Sequence, residues 1–189
     1  MTPEALMGGF TAPPQHSSRA FRAALTALSR PGTIVTVEGG HGPAPLSPAA
    51  AILALTLLDG TTPVHLAGGH DAPALRDWLA FHTGAPVVGA EGAAFAIGTW
   101  AALQPIPRFA IGTAEYPDRA ATLIIEMPAL TATGPRLSGP GIDGTAQLSL
   151  PEAAAFRANR ALFPLGFDCF LTCGSHLAGL PRSTIVEDI

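Results

Sequence analysis

The chain has 189 residues, of which 48% are hydrophobic and only 13% charged, and it carries a net charge of −4. That is enough for one domain spanning 1–189, burying about 70% of its unfolded surface, and it excludes a disordered chain. It also excludes a global basic field for nucleic acid or anionic membrane. The mean hydropathy of +0.35 is high, which points to apolar surface covered by a partner.

All ten basic residues are arginine. Whether chemistry or coding bias favours arginine, the lack of lysine removes Schiff-base chemistry with pyridoxal phosphate and the lysine of a phosphate loop. What remains is a set of planar guanidinium forks suited to carboxylate or phosphate.

In chain order, Phe21, Leu25 and Leu28 recur at i, i+4, i+7 and predict a helix over 15–28. Ser17 or Ser18 is a candidate cap, and Pro31-Gly32 stops the helix. Thr33–Val37 reads as a β-branched strand. Ser47-Pro48 opens a second helix, running to Leu58, with almost no polar face; it is buried or sits at a subunit interface. Pro63–Leu66 makes a short strand, and Asp71 starts a third helix with Leu75, Trp78 and Leu79 inward. Short strand signals follow at Pro86–Val88 and Ala94–Ile97, and Pro105 and Pro107 break any long helix between Trp100 and Gly112.

Ala121–Met127 is a strong strand, and Arg136–Ser138 is a candidate to pair with it after the turn at Gly134-Pro135. Ser149-Leu150-Pro151-Glu152 has the form of a capping box ahead of a helix carrying Phe156, Arg157 and Arg160. The stretch from Phe167 to Cys173 reads as a central strand. Phe167, Cys169, Leu171 and Cys173 form its committed core face, and Asp168, Phe170 and Thr172 form a partly polar second face. The interleaving of strands and helices predicts an α/β fold with a mixed sheet.

Cys169 and Cys173 would lie roughly 13 Å apart on a strand, too far for a disulfide, so both are expected as free thiols. The N-terminus has no signal-peptide pattern, and the apolar run from Ala49 to Leu58 is far short of the ~20 residues that span a bilayer; the expectation is a soluble, cytoplasmic protein.

No standard catalytic signature is present. His65 and His70, separated by a Gly-Gly turn, are the closest approach to metal-ligand spacing among the six histidines, and no metal is expected. Chemistry would sit instead in short loop clusters: Ser29-Arg30-Pro31-Gly32, Phe81-His82-Thr83-Gly84-Ala85-Pro86, Arg136 with Leu137–Ile142, and Leu180-Pro181-Arg182-Ser183-Thr184. Two readings stand. One is a backbone nest with Arg30, Arg136 and Arg182 that holds a phosphate-like anion; the other is ordinary helix caps and tight turns. A stand-alone enzyme acting on a phosphorylated metabolite, or an anion-binding protein, would use His82 as acid/base and Arg30 and Arg182 as clamps.

Together these stretches resemble the PhnH family of the bacterial carbon–phosphorus lyase machinery. The resemblance rests on FRAALTALSRPGT (21–33), LLDGTTPV (57–64), FHTGAP (81–86), AATLIIE (120–126), LSGPGI (137–142), FPLGFDCFLTCG (163–174) and LPRST (180–184), with the poorest match between Thr99 and Tyr116. It implies a three-layer α/β/α fold similar to the large domain of pyridoxal-phosphate-dependent transferases, without the cofactor site. It further implies a homodimer when alone, and assembly with PhnG, PhnI, PhnJ and PhnK. Transfer of ribose triphosphate from ATP to methylphosphonate would require the subunit together with PhnG, PhnI and PhnL. No cofactor and no catalytic residue are then expected here, and Arg30, His82, Arg136, Arg182 and Thr184 become candidate ligand or interface residues. Carbon–phosphorus bond cleavage would belong to the iron–sulfur subunit PhnJ; two cysteines at strand spacing cannot hold such a cluster.

Overall fold

A computed structural model describes residues 6–187. Its centre is a six-stranded mixed sheet built from β2 (Ile34–Thr36), β4 (Val64–Leu66), β5 (Phe95–Thr99), β6 (Thr122–Glu126), β9 (Asp168–Cys173) and β10 (His176–Leu180). The spatial order is β2-β10-β9-β6-β5-β4. Strands β4, β5, β6 and β9 run parallel, while β10 is antiparallel to both β9 and β2. Gly174, at φ +56°, supplies the left-handed residue that the tight β9–β10 turn needs.

Strand β9 is central, as expected, but both of its faces are buried. Cys169 and Leu171 pack with Leu123 and Ile125 on one side, and Phe170 packs with Ile97 and Ile124 on the other. Strands paired on both edges and covered on both faces lose the in/out alternation that marks a half-exposed sheet.

One face carries α1 (Pro13–Ser29), α2 (Pro48–Leu57) and α3 (Pro73–His82), crossed by the small ribbon of β1 (Gly9–Phe10) and β3 (Gly40–His41). Helix α2 begins as expected: the Ser47 hydroxyl accepts from Ala50 N–H at 3.2 Å, Pro48 occupies the first turn, and Ala49–Ala54 are buried. Helix α3 buries Leu75, Trp78 and Leu79 as expected, but it starts at Pro73 with Ala72 in the cap position; Asp71 instead accepts from Arg76.

Helix α1 departs most from expectation. Its cap is Ala12, without a side-chain hydrogen bond, rather than Ser17 or Ser18. Its buried residues are Ala20, Ala24 and Ala27, while Phe21 and Leu25 are 49% and 53% exposed. The reason is the close approach to β10: a Cβ on Gly179 would lie 2.7 Å from the Ala27 carbonyl carbon. At that separation only alanines fit between helix and sheet, and the larger apolar stripe is turned outward.

The other face is covered by α5 (Ala153–Ala161), the short α4 (Trp100–Leu103) and a three-stranded sheet of β7 (Arg136–Ser138), β8 (Ala146–Gln147) and β11 (Ile185–Val186). The expected pairing of Arg136–Ser138 with β6 does not occur. Strand β6 already has β5 on one edge and β9 on the other, so β7 pairs with β8 and β11 instead. The capping box also does not form: Ser149 Oγ accepts from Thr131 N–H at 2.9 Å, and Glu152 stands at the cap and accepts from the Trp100 indole N–H at 2.9 Å. Between Trp100 and Gly112, where the two prolines break any long helix, a 3-10 turn at Ile106–Arg108 follows α4. Among the described residues, no helix is long and apolar enough to cross a membrane.

Leu171→Ala is expected to cost ~2–5 kcal/mol, read as a lower urea midpoint at unchanged slope. Gly179→Ala is expected to destabilise through backbone displacement of α1 even though it adds a single methyl; an unchanged midpoint would mean that α1 sits further from β10 than described.

Candidate functional site

The loop clusters converge at the amino ends of the parallel strands. The Ser29–Gly32 turn precedes β2, and a Cβ on Gly141, at φ +84°, would run into the Ser29 carbonyl oxygen. Gly139 (φ +119°) lies against Ser183 and Thr184, its Cβ position 3.4 Å from Ser183 O. Three of the sequence clusters thus form one turn assembly.

Arg182 pins that assembly to the sheet. Its Nε and Nη2 donate to Asp168 Oδ1 at 3.1 Å and Oδ2 at 2.6 Å, its backbone N–H donates to Oδ1 at 2.8 Å, and Nη1 donates to Pro117 O at 2.7 Å. Asp168 is the first residue of β9, and Pro117 precedes β6, so one guanidinium ties the chain after β10 to two strand entries. This bidentate geometry is a structural tie and leaves the fork directed inward. Arg136 is exposed, its Nη1 3.6 Å from Glu187 Oε2. Arg30 follows α1 and is also exposed. Thr184 is 3% exposed, and its N–H donates to Pro181 O at 2.9 Å. His82 lies elsewhere: it ends α3 beside the β1 ribbon, its ring 5.1 Å from Trp78 and 4.9 Å from Phe81. Arg30, Arg136, Arg182 and Thr184 share the turn assembly, then, and His82 does not join them.

The second cluster pair also meets: a Cβ on Gly84 would be 3.7 Å from Gly60. Asp59 builds that turn, accepting from Thr61 N–H and from the Thr61 and Thr62 hydroxyls at 2.7–2.8 Å. Those bonds hold its carboxyl below the ordinary aspartate range.

Cys169 and Cys173 are free thiols, and burial pushes the Cys169 pKa far up, with the neighbouring Asp168 adding to the effect. His65 does not pair with His70: its Nδ1 lies 3.1 Å from Val88 O and its ring 5.8 Å from Phe109. No group of three or more His, Cys, Asp or Glu among the described residues could hold a metal ion.

The opposite, carboxyl ends of β4, β5 and β6 border a groove of about 740 Å³. Its lining includes His70, Thr99, Trp100, Glu126, Met127 and Leu150. Parallel α/β sheets place ligand crevices at this end, because helix N-termini and the connecting loops meet there. Glu126, the last residue of β6, has Oε1 2.7 Å from Ser47 N–H at the start of α2 and Oε2 2.9 Å from the Thr172 hydroxyl. His70 is 4% exposed, and its Nε2, 3.9 Å from Glu126 Oε1, has no hydrogen-bond partner among the described residues. Burial opposes ionisation of Glu126. The His70 imidazole beside it, with donation from Ser47 and Thr172, outweighs it and holds the carboxyl below its ordinary value of 4.5.

Sequence reasoning took Ser47 only as a cap and His70 only as half of a metal pair, and Glu126 only as part of a strand. The available signal was Glu126 itself, a lone charge closing the apolar run Leu123-Ile124-Ile125. Its meaning depends on β6 being parallel to both neighbours.

The family described as "Bacterial phosphonate metabolism protein (PhnH)" matches residues 8–187. The chain belongs to the PhnH family. It is 38% identical to the Alpha-D-ribose 1-methylphosphonate 5-triphosphate synthase subunit PhnH of Rhizobium meliloti (strain 1021), over 95% of this chain and 94% of that protein. It is 31% identical to the Putative C-P lyase subunit protein HtxG of Stutzerimonas stutzeri, over 89% of this chain and 84% of that one. The PhnH match takes in both the amino-end turns and the carboxyl-end groove.

Arg182→Ala leaves the Asp168 carboxylate, about a quarter exposed, without its cation. The expected loss is roughly 2–3 kcal/mol by chemical denaturation, below that of a fully buried pair, with only partial recovery in Arg182→Lys, which cannot fork. For Glu126 the folded pKa is depressed, so its stabilisation is present above the unfolded value of 4.5 and is lost as pH falls through the lower folded value. Glu126→Gln is therefore expected to flatten the loss of stability below pH 4.5, measured by denaturation at stepped pH.

Proposed function

We propose that this chain is a subunit of the alpha-D-ribose 1-methylphosphonate 5-triphosphate synthase and carbon–phosphorus lyase assembly used in phosphonate utilisation. In this reading it is required with PhnG, PhnI and PhnL for transfer of ribose triphosphate from ATP to methylphosphonate, and it assembles with PhnJ and PhnK in the core complex. The observation that carries it is the 38% identity, across 95% of the chain, with a protein named as that synthase's subunit PhnH. The subunit works in the cytoplasm as one domain, forms a homodimer when alone, and contributes surface rather than catalysis. Its α/β scaffold is a relative of the large transferase domain without a pyridoxal site, in keeping with a sequence that has no lysine.

The outward apolar stripe of α1 supports the assembly role. Phe21 and Leu25 are about half exposed, and an outward apolar helix stripe is a surface that association would cover. Arg30 and Arg136 are exposed guanidinium groups available for polar contacts at the rim, where charge steers encounter more than it holds the complex. His82 and Thr184 take positioning roles, at the end of α3 and in the turn after β10.

The isolated protein is expected to show no turnover of ATP with methylphosphonate; robust activity from it alone would overturn the reading. Phe21→Asp with Leu25→Asp is expected to leave the unfolding midpoint nearly unchanged, since both side chains already face water. The same pair should convert the dimer to monomer in sedimentation and abolish complementation of growth on methylphosphonate by a strain lacking its own PhnH. Full complementation would move the interface elsewhere.

A further inference from the structure

The carboxyl-end groove has polar chemistry that an assembly surface does not require. Glu126 is held from two sides, by Ser47 N–H and the Thr172 hydroxyl, with the His70 imidazole 3.9 Å from its Oε1. Next to it is the buried His70 Nε2, unpartnered among the described residues. An orphaned buried nitrogen is costly unless something outside the chain meets it. At 3.9 Å the nitrogen and Glu126 Oε1 are too far apart to bond each other, yet close enough for one polar group to reach both.

The rest of the groove limits what that group belongs to. Trp100, Met127, Pro128, Leu150 and Pro151 line it, and no arginine does. Trp100 is fixed, stacked on Phe156 at 5.4 Å and donating to Glu152, so that this wall is formed in advance. A volume of about 740 Å³ suits a small organic molecule rather than a single water. The one full charge at the groove floor is negative, and the ends of a phosphate or phosphonate would be repelled by it.

We propose that this groove binds a compact, mainly apolar organic molecule carrying an amine or amidine edge, whose N–H groups donate to Glu126 and meet His70. Glu126 selects for donors and against anions, and Trp100 and Met127 contact the apolar body. The site is formed by this chain alone and does not depend on which subunits the chain meets, so its test is separate from the assembly test.

Benzamidine serves as the probe, with methylphosphonate and inorganic phosphate as anionic controls, titrated into the full-length protein. The readouts are calorimetry and the ring ¹⁵N resonances of His70. Benzamidine is expected to bind and shift His70, and both anions to leave it unmoved; Glu126→Gln should weaken binding about tenfold or more, the loss of a charge-assisted hydrogen bond. Ala101→Phe, at an exposed position on the groove wall, should block binding while preserving the unfolding midpoint, so the proposal remains testable if the Glu126 variant folds poorly. Three results would overturn it: no His70 response to benzamidine, which leaves an ordered water only; equal affinity in Glu126→Gln; or a His70 shift with phosphate. Protection of His70 only on adding partner subunits, without a benzamidine response, would assign the groove to a subunit contact and equally refute it.

Discussion

The parallel register of β6 on β9 is the constraint on which the rest of the molecule depends. It sets Thr122 opposite Asp168 at one end and Glu126 opposite Thr172 at the other. From the first pairing follows the Arg182 tie, because Asp168 then stands beside the chain entering β6, within reach of the same guanidinium as Pro117 O. From the second follows the Glu126 hub, because Thr172 and the start of α2 both face the carboxylate. A slip of one residue would turn Leu123, Ile125 and Leu171 to the wrong face and break both ends at once.

The two ends do different work. At the amino ends, glycines at positive φ and a buried-side ion pair lock turns against one another; these contacts are dense and internal. Asn159 does the same for the entry to β9, donating to Phe167 O at 2.8 Å and accepting from Phe167 N–H at 2.9 Å. At the carboxyl ends the loops diverge and leave a groove with a charged floor. This division is common in parallel sheets, where stability collects at one rim and ligands at the other.

Surface and interior are likewise divided along α1. Its contact with β10 runs through Gly179 and a line of alanines, a packing that permits near backbone-to-backbone approach. Large apolar residues cannot enter that contact, and Phe21 and Leu25 are left facing out. One close approach therefore shapes both the core and the surface through which the chain is proposed to meet others.

Much of this was legible in the residues. The α/β class, the central position of Phe167–Cys173, the cap and burial of α2, the inward face of α3 and the family itself all follow from local patterns: period two, period 3.6, a Ser-Pro start, and short turn motifs. Each depends on neighbours in sequence, so sequence alone determined it. The tertiary structure decided what depends on distant chain. The inward side of α1 hinged on the glycine of β10, the partner of β7 on both edges of β6 being taken, and the role of Ser149 on Thr131. Arg182 reads as an anion clamp until Asp168, 14 positions earlier, is brought to it. Glu126, His70 and Ser47 are scattered over 80 positions and converge only because parallel strands bring their carboxyl ends to one rim.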